Sequence, residues 1–157
     1  MDDLTLARAL HVLAIVHWIG GVAMVTLVIL PGLIRTVPPA ERLTLFEAIE
    51  GRFAVQARVS TVLAGASGLY MTYRLDAWDR FLDPAFWWMH AMVGVWAIFT
   101  FVLFIAEPLF LHAWFHERAR AAPEQTFALV LRLHRLLLAL SAVTVGAAGL
   151  GATGGFY

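Results

Sequence analysis

The chain has no cysteine, and all eleven of its basic residues are arginine, so it has no lysine either. Without cysteine there can be no disulfide, iron–sulfur cluster or thiolate metal site. Charge is scarce as well: 14% of the 157 residues are Asp, Glu, Lys or Arg, against about 25% in a soluble domain. The formal net charge is zero, which gives no electrostatic reason to expect nucleic acid as a partner. No internal repeat or low-complexity tract stands out, and the length leaves no room for a separate soluble domain beside the apolar stretches described next.

What the chain has instead is apolar length. Four stretches, roughly residues 4–34, 54–73, 86–115 and 127–150, are dominated by aliphatic and aromatic side chains. A helix needs about 20 such residues to cross a hydrocarbon core of about 30 Å. Lipid offers no partner to a bare backbone, so helices are the expected spanning structure. The expectation is an all-α integral membrane bundle of four transmembrane helices forming a single domain, 1–157. The first stretch does not read as a cleaved signal peptide, because it opens on Asp2-Asp3 without a basic residue and is too long.

Arginine placement orients the bundle. Arg35, Arg42, Arg52, Arg58, Arg118, Arg120, Arg132 and Arg135 flank the first and third connections, whereas only Arg8, Arg74 and Arg80 lie on the other side. The positive-inside rule then puts both termini on the non-cytoplasmic side of a bacterial inner membrane. Pro31-Gly32 is expected to end the first helix, and Pro38-Pro39 to force an extended turn. Residues 40–51 read as a short amphipathic helix on the cytoplasmic interface, with Leu43, Leu45, Phe46 and Ile49 on its apolar face. Ser60, Ala64, Gly68 and Thr72 form a stripe of small residues suited to close helix packing, and the run from Gly146 to Gly151 another. Phe86-Trp87-Trp88 reads as an interfacial aromatic belt. Pro108 is expected to kink the third helix, with Glu107 pairing with Arg132 or Arg135.

Histidines inside such spans are costly and therefore candidate functional groups. With about 1.5 Å of rise per residue, His11 lies roughly 10 Å and His90 roughly 8 Å from the same side of the membrane. Two imidazoles at matched depth suit the two axial positions of a haem, making His11 and His90 the candidate metal ligands. His17 is turned roughly 120° from His11 and lies about 9 Å deeper; His134 sits near the opposite surface. Both are reserve cofactor-binding candidates. His112 and His116 read as part of a solvated helix end. Met89 and Met92, beside His90, admit a copper relay, although methionine is more often a packing residue.

The run Leu10-His11-Val12-Leu13-Ala14-Ile15-Val16-His17-Trp18-Ile19-Gly20-Gly21 resembles the first-helix signature of HemJ-type protoporphyrinogen oxidases and CopD-like copper-resistance membrane proteins. Glu50-Gly51-Arg52, Gly68-Leu69-Tyr70 and Trp88-Met89-His90-Ala91 are similar to the HemJ pattern too. The likeness covers the first three helices and fades in the fourth. It implies haem b bound through the residue matching His11. Met92 stands where the family has lysine, and Thr26 to Leu30 lack the family's arginine; these departures bear on the oxidase chemistry. The expected function is therefore a haem b-binding membrane protein with an electron-transfer or redox role near the periplasmic face. The alternatives are copper-handling transport and protoporphyrinogen oxidation. Expected partners are the lipid bilayer, a quinone or periplasmic redox protein, and a second copy or a larger membrane complex.

Overall fold

The computed structural model describes residues 2–155. These residues form four long helices and no strand. We number the helices α1 (Asp3–Thr36), α2 (Arg42–Arg74), α3 (Pro84–Ala121) and α4 (Pro123–Ala152). The all-α expectation holds. α1, α3 and α4 are long and apolar enough to cross a membrane, with mean hydropathies of 2.3, 2.1 and 1.7 over their most apolar windows. α2 is the more polar helix. Three such helices give the chain the form of a multi-pass membrane protein.

The helices run longer than expected. Residues 40–51 are not a separate interfacial helix, because α2 is continuous from Arg42 through the small-residue stripe to Arg74. Of the four residues expected on the apolar face, Leu45 and Ile49 face outward, whereas Leu43 and Phe46 are buried against Leu30, Leu33 and Phe127. Gly51, which suggested a boundary, sits in open space and breaks nothing. Nor does Pro31 end α1. The helix widens into a π-turn at Val25–Ile29 and continues to Thr36, and that wider turn accommodates a proline lacking its N–H. Pro108 acts likewise, lying within a π-helical segment, Val102–Leu111, inside α3.

The interior holds several hydroxyl residues, and the surface carries many large apolar side chains, unlike a soluble bundle. Thr26, Thr61, Ser141 and Thr144 are buried, whereas Leu13, Leu27, Leu109, Leu136 and Val143 are more than 60% exposed. Each buried hydroxyl among Thr26, Thr61, Ser67 and Ser141 donates to a carbonyl one turn back in its own helix, so it needs no partner from water. Total accessible surface is 9555 Å². A compact soluble chain of this mass would show about 7,900 Å². Much of that surface carries large apolar side chains directed outward, as a lipid-facing bundle requires.

α1 lies along α2 over most of its length, and α3 along α4. The Ser60–Ala64–Gly68 stripe is the α2 side of the first seam. Glycine elsewhere makes room for indole rings: Trp96 rests on Gly65, and Trp88 on Gly151. Within the Gly146–Gly151 run, only Ala147 and Gly151 are buried, and Gly146 and Gly149 face open space. The antiparallel seam is tied at the terminal end of the bundle by an Arg74–Asp3 ion pair of 2.7 Å and a Tyr70 hydroxyl donated to Asp3 at 2.7 Å.

Candidate functional site

Four histidines from the sequence occupy three different settings. His11 lies in the α1–α2 seam. Its Nδ1 is 2.9 Å from the Ala64 carbonyl and 3.0 Å from Ser67 Oγ. A carbonyl can only accept, so Nδ1 carries the proton and Nε2 keeps a lone pair. Ser67 donates its own hydrogen to the Leu63 carbonyl and so accepts from His11 as well. Gly68 permits this arrangement: a β-carbon there would lie 3.1 Å from His11 Cε1. His134 has the same protonation pattern with a local partner, donating Nδ1–H to the Val130 carbonyl at 2.9 Å.

His17 differs. Its Nδ1 is 2.8 Å from Ser60 Oγ, a group able to donate or accept, so either tautomer satisfies the contact. His17 is also exposed, on the outer face of the seam. It lines a groove of about 390 Å³ with Gln56, Ser60 and apolar residues of α1 and α2. His90 is exposed at the start of α3, its ring edge 5.3 Å from Phe81. It makes no side-chain hydrogen bond among the described residues. The structure thus places His11 against α2 and His90 against the α2–α3 connection. Among the described residues, no hydrogen bond or ring contact joins them, and no group of three or more His, Asp or Glu is arranged to hold a metal ion. Met89 is buried beside Trp88 and Ala147, with Met92 packed on the same cluster, so both serve packing.

A second polar centre, absent from the sequence reading as a unit, lies at the opposite end of the bundle. Arg58 of α2 donates Nε–H to the Leu103 carbonyl at 3.0 Å and pairs through its second nitrogen with Glu107. Glu107 therefore does not pair with Arg132 or Arg135. In a π-helix, the donor to the Leu103 carbonyl would be the residue five positions on, which is Pro108 and has no N–H. Arg58 fills that vacancy from the neighbouring helix. His116 pairs with Glu47, so it is held by α2 rather than forming a free, solvated end; His112 stacks near it, ring centroids 4.5 Å apart. Glu50 lies among these groups. Burial, and then the Glu107 carboxylate, push its carboxyl above the ordinary value of 4.5, partly opposed by His112 and Arg58. The signal available in the sequence was the spacing of Glu47, Glu50 and Arg58 along one helix, and it was obscured by cutting that helix at residue 51.

The remaining polar features are two indole nitrogens. Nε1 of Trp18 and of Trp88 are buried without an acceptor among the described residues. Comparison with protein-family models, curated proteins and solved structures finds no match to this chain.

Two outcomes follow from the Arg58 centre. Arg58→Leu strands the Glu107 carboxylate and the Leu103 carbonyl, and should cost about 2 kcal/mol, less than a fully buried pair because both side chains are partly exposed. The double variant Arg58→Leu/Glu107→Leu should recover at least half of that loss in thermal unfolding, since no uncompensated charge remains. Glu50 gives a pH effect of defined sign. Its folded-state affinity for a proton exceeds that of the unfolded chain, so stability falls as pH rises from about 4.5 through the raised value. Glu50→Gln should match the wild type below that window and be the more stable protein at neutral pH, as read from melting temperature against pH.

Proposed function

We propose that the chain is a haem b-carrying redox protein of a bacterial inner membrane, with all four helices crossing the bilayer and both termini on the periplasmic side. The observation that carries the haem reading is the protonation state of His11. Its Nδ1–H is committed to the Ala64 carbonyl, leaving the Nε2 lone pair as the donor. Metal-ligating histidines are commonly oriented in this way by a carbonyl behind the ring. The donor chemistry of His11 therefore fits an axial ligand of haem iron. His90, exposed and without a hydrogen bond among the described residues, is the second ligand in this reading. His134, whose Nε2 lone pair is also open, and His17 are the reserves. Haem would supply one-electron chemistry. The residues around His11, similar to the HemJ-type and CopD-like first helix, support the same assignment.

The electron partner in this reading is a quinone or a periplasmic redox protein. Copper handling gains nothing from the packed methionines Met89 and Met92, and protoporphyrinogen oxidation lacks the family lysine at Met92. The membrane orientation rests on the arginines, eight of which flank the two connections at one end of the bundle.

Purified protein should be red, with a Soret band that His11→Ala or His90→Ala abolishes or shifts and that His116→Ala leaves in place. A colourless protein with stoichiometric copper would transfer the assignment to the CopD-like reading, and spectra unchanged in both His11→Ala and His90→Ala would end the ligand assignment. For orientation, a reporter active only in the periplasm should function when fused after Tyr157 and stay silent when inserted at Ala121. The reverse pattern would invert the bundle.

A further inference from the structure

We propose that the groove around His17, on the outer face of the α1–α2 seam, binds the ring of a lipid-soluble quinone or quinol. The proposal rests on the membrane reading above and deepens the redox one by naming the partner's chemical class and its site.

Three observations point there. The groove measures about 390 Å³, within the roughly 300–1,000 Å³ range of small-molecule sites. Leu13, Val59 and Leu63 supply apolar walls, and the groove is open outward, so an occupant can enter sideways from the lipid. Its polar groups are few and specific. His17 and Gln56 are exposed on this face, and Gln56 has no side-chain hydrogen bond among the described residues. An amide or imidazole left unpaired in hydrocarbon is costly, so a partner reaching these groups is favoured.

The chemistry of His17 selects the class of partner. His11 and His134 are each locked into one tautomer by a carbonyl. His17 leans on a hydroxyl, Ser60 Oγ at 2.8 Å, and is free to hold its proton on either nitrogen. With Nε2 protonated it donates to a quinone carbonyl; with Nδ1 protonated it accepts from a quinol hydroxyl. The Gln56 amide can likewise donate to one form and accept from the other. A saturated acyl chain would use neither group. Position agrees with the redox reading: His17 and His11 lie six residues apart on the same helix, about 9 Å along its axis.

The test uses the full-length protein with its haem in lipid nanodiscs, titrated with a decyl-substituted benzoquinone and, separately, with decylbenzene, which has the same tail and no carbonyl. Binding is counted above that of empty nanodiscs. Saturable binding of the quinone alone is expected, weakened about tenfold by His17→Leu and by Gln56→Leu, the scale of one lost hydrogen bond. Both side chains are exposed, but His17→Leu also removes the contact to buried Ser60 Oγ, so its melting temperature is read beside its affinity and Gln56→Leu serves as the second, independent variant. The proposal is overturned by absent or carbonyl-independent binding, by an affinity in His17→Leu within twofold of wild type, or by His17→Leu splitting a stable dimer into monomers. His11→Ala separates this from the haem assignment, since that variant should lose its Soret band and keep its quinone affinity. If the wild type carries no haem, the titration still decides the quinone site by itself.

Discussion

A proline inside a membrane helix leaves a carbonyl that hydrocarbon cannot satisfy, and the loop end of this bundle is organised around that constraint. Pro108 opens α3 into a π-helical segment and frees the Leu103 carbonyl, which the Arg58 guanidinium of α2 then occupies. A guanidinium at that depth needs a counter-charge, and Glu107, one residue before the proline, provides it. With α2 and α3 joined at this level, the turns below fall into reach of one another, and Glu47 meets His116. Glu50 is enclosed in the same region, and burial, with the Glu107 carboxylate beside it, raises its affinity for a proton.

Along the α1–α2 seam the interior follows the membrane rule that small residues let backbones approach closely. Helices in lipid gain nothing by hiding leucine from leucine-like surroundings, so they associate through close backbone approach. Alanine, serine and glycine line the α1–α2 seam, and the aromatic rings enter where glycine makes space, as with Trp96 on Gly65 and Trp88 on Gly151. The seam that brings backbones together also brings a carbonyl, that of Ala64, within reach of His11. Packing and histidine chemistry are therefore two results of one stripe. Replacing Gly68 with a larger residue would disturb both.

Much of the fold was legible from hydropathy alone: the all-helical class and the positions of the turns at Pro38-Pro39 and Arg74–Pro84 follow from apolar runs and helix breakers. Three features were not. The cut of α2 at Gly51 failed because glycine weakens a helix without ending it when neighbouring helices hold both sides; Leu43 and Phe46 are so held. Pro31 failed as a terminator because a π-turn just before it absorbs the missing N–H, as the π-helical segment around Pro108 does in α3. The partner of Glu107 failed because sequence neighbours on α4 were weighed, whereas an arginine 49 positions earlier had a second reason, the Leu103 carbonyl, to be there. Of the candidate site, the sequence carried position along each helix but not the hydrogen-bond partner of each ring.

That last distinction governs how the histidines are to be understood. A rise per residue converts sequence position into distance along a helix, and on that scale alone His11 and His90 are expected at one level. Azimuth accumulates error with every π-turn, frayed end and 3₁₀ step, and α3 begins with a 3₁₀ turn at Pro84–Phe86 directly before His90. What the structure adds is each ring's hydrogen-bond partner, a sharper discriminator than depth. A carbonyl behind the ring fixes one tautomer and leaves a lone pair suited to a metal, as at His11. A hydroxyl behind it leaves the proton free to change nitrogen, as at His17. Two histidines on one helix, six residues apart, thereby differ in kind: His11 keeps one tautomer, and His17 can hold its proton on either nitrogen.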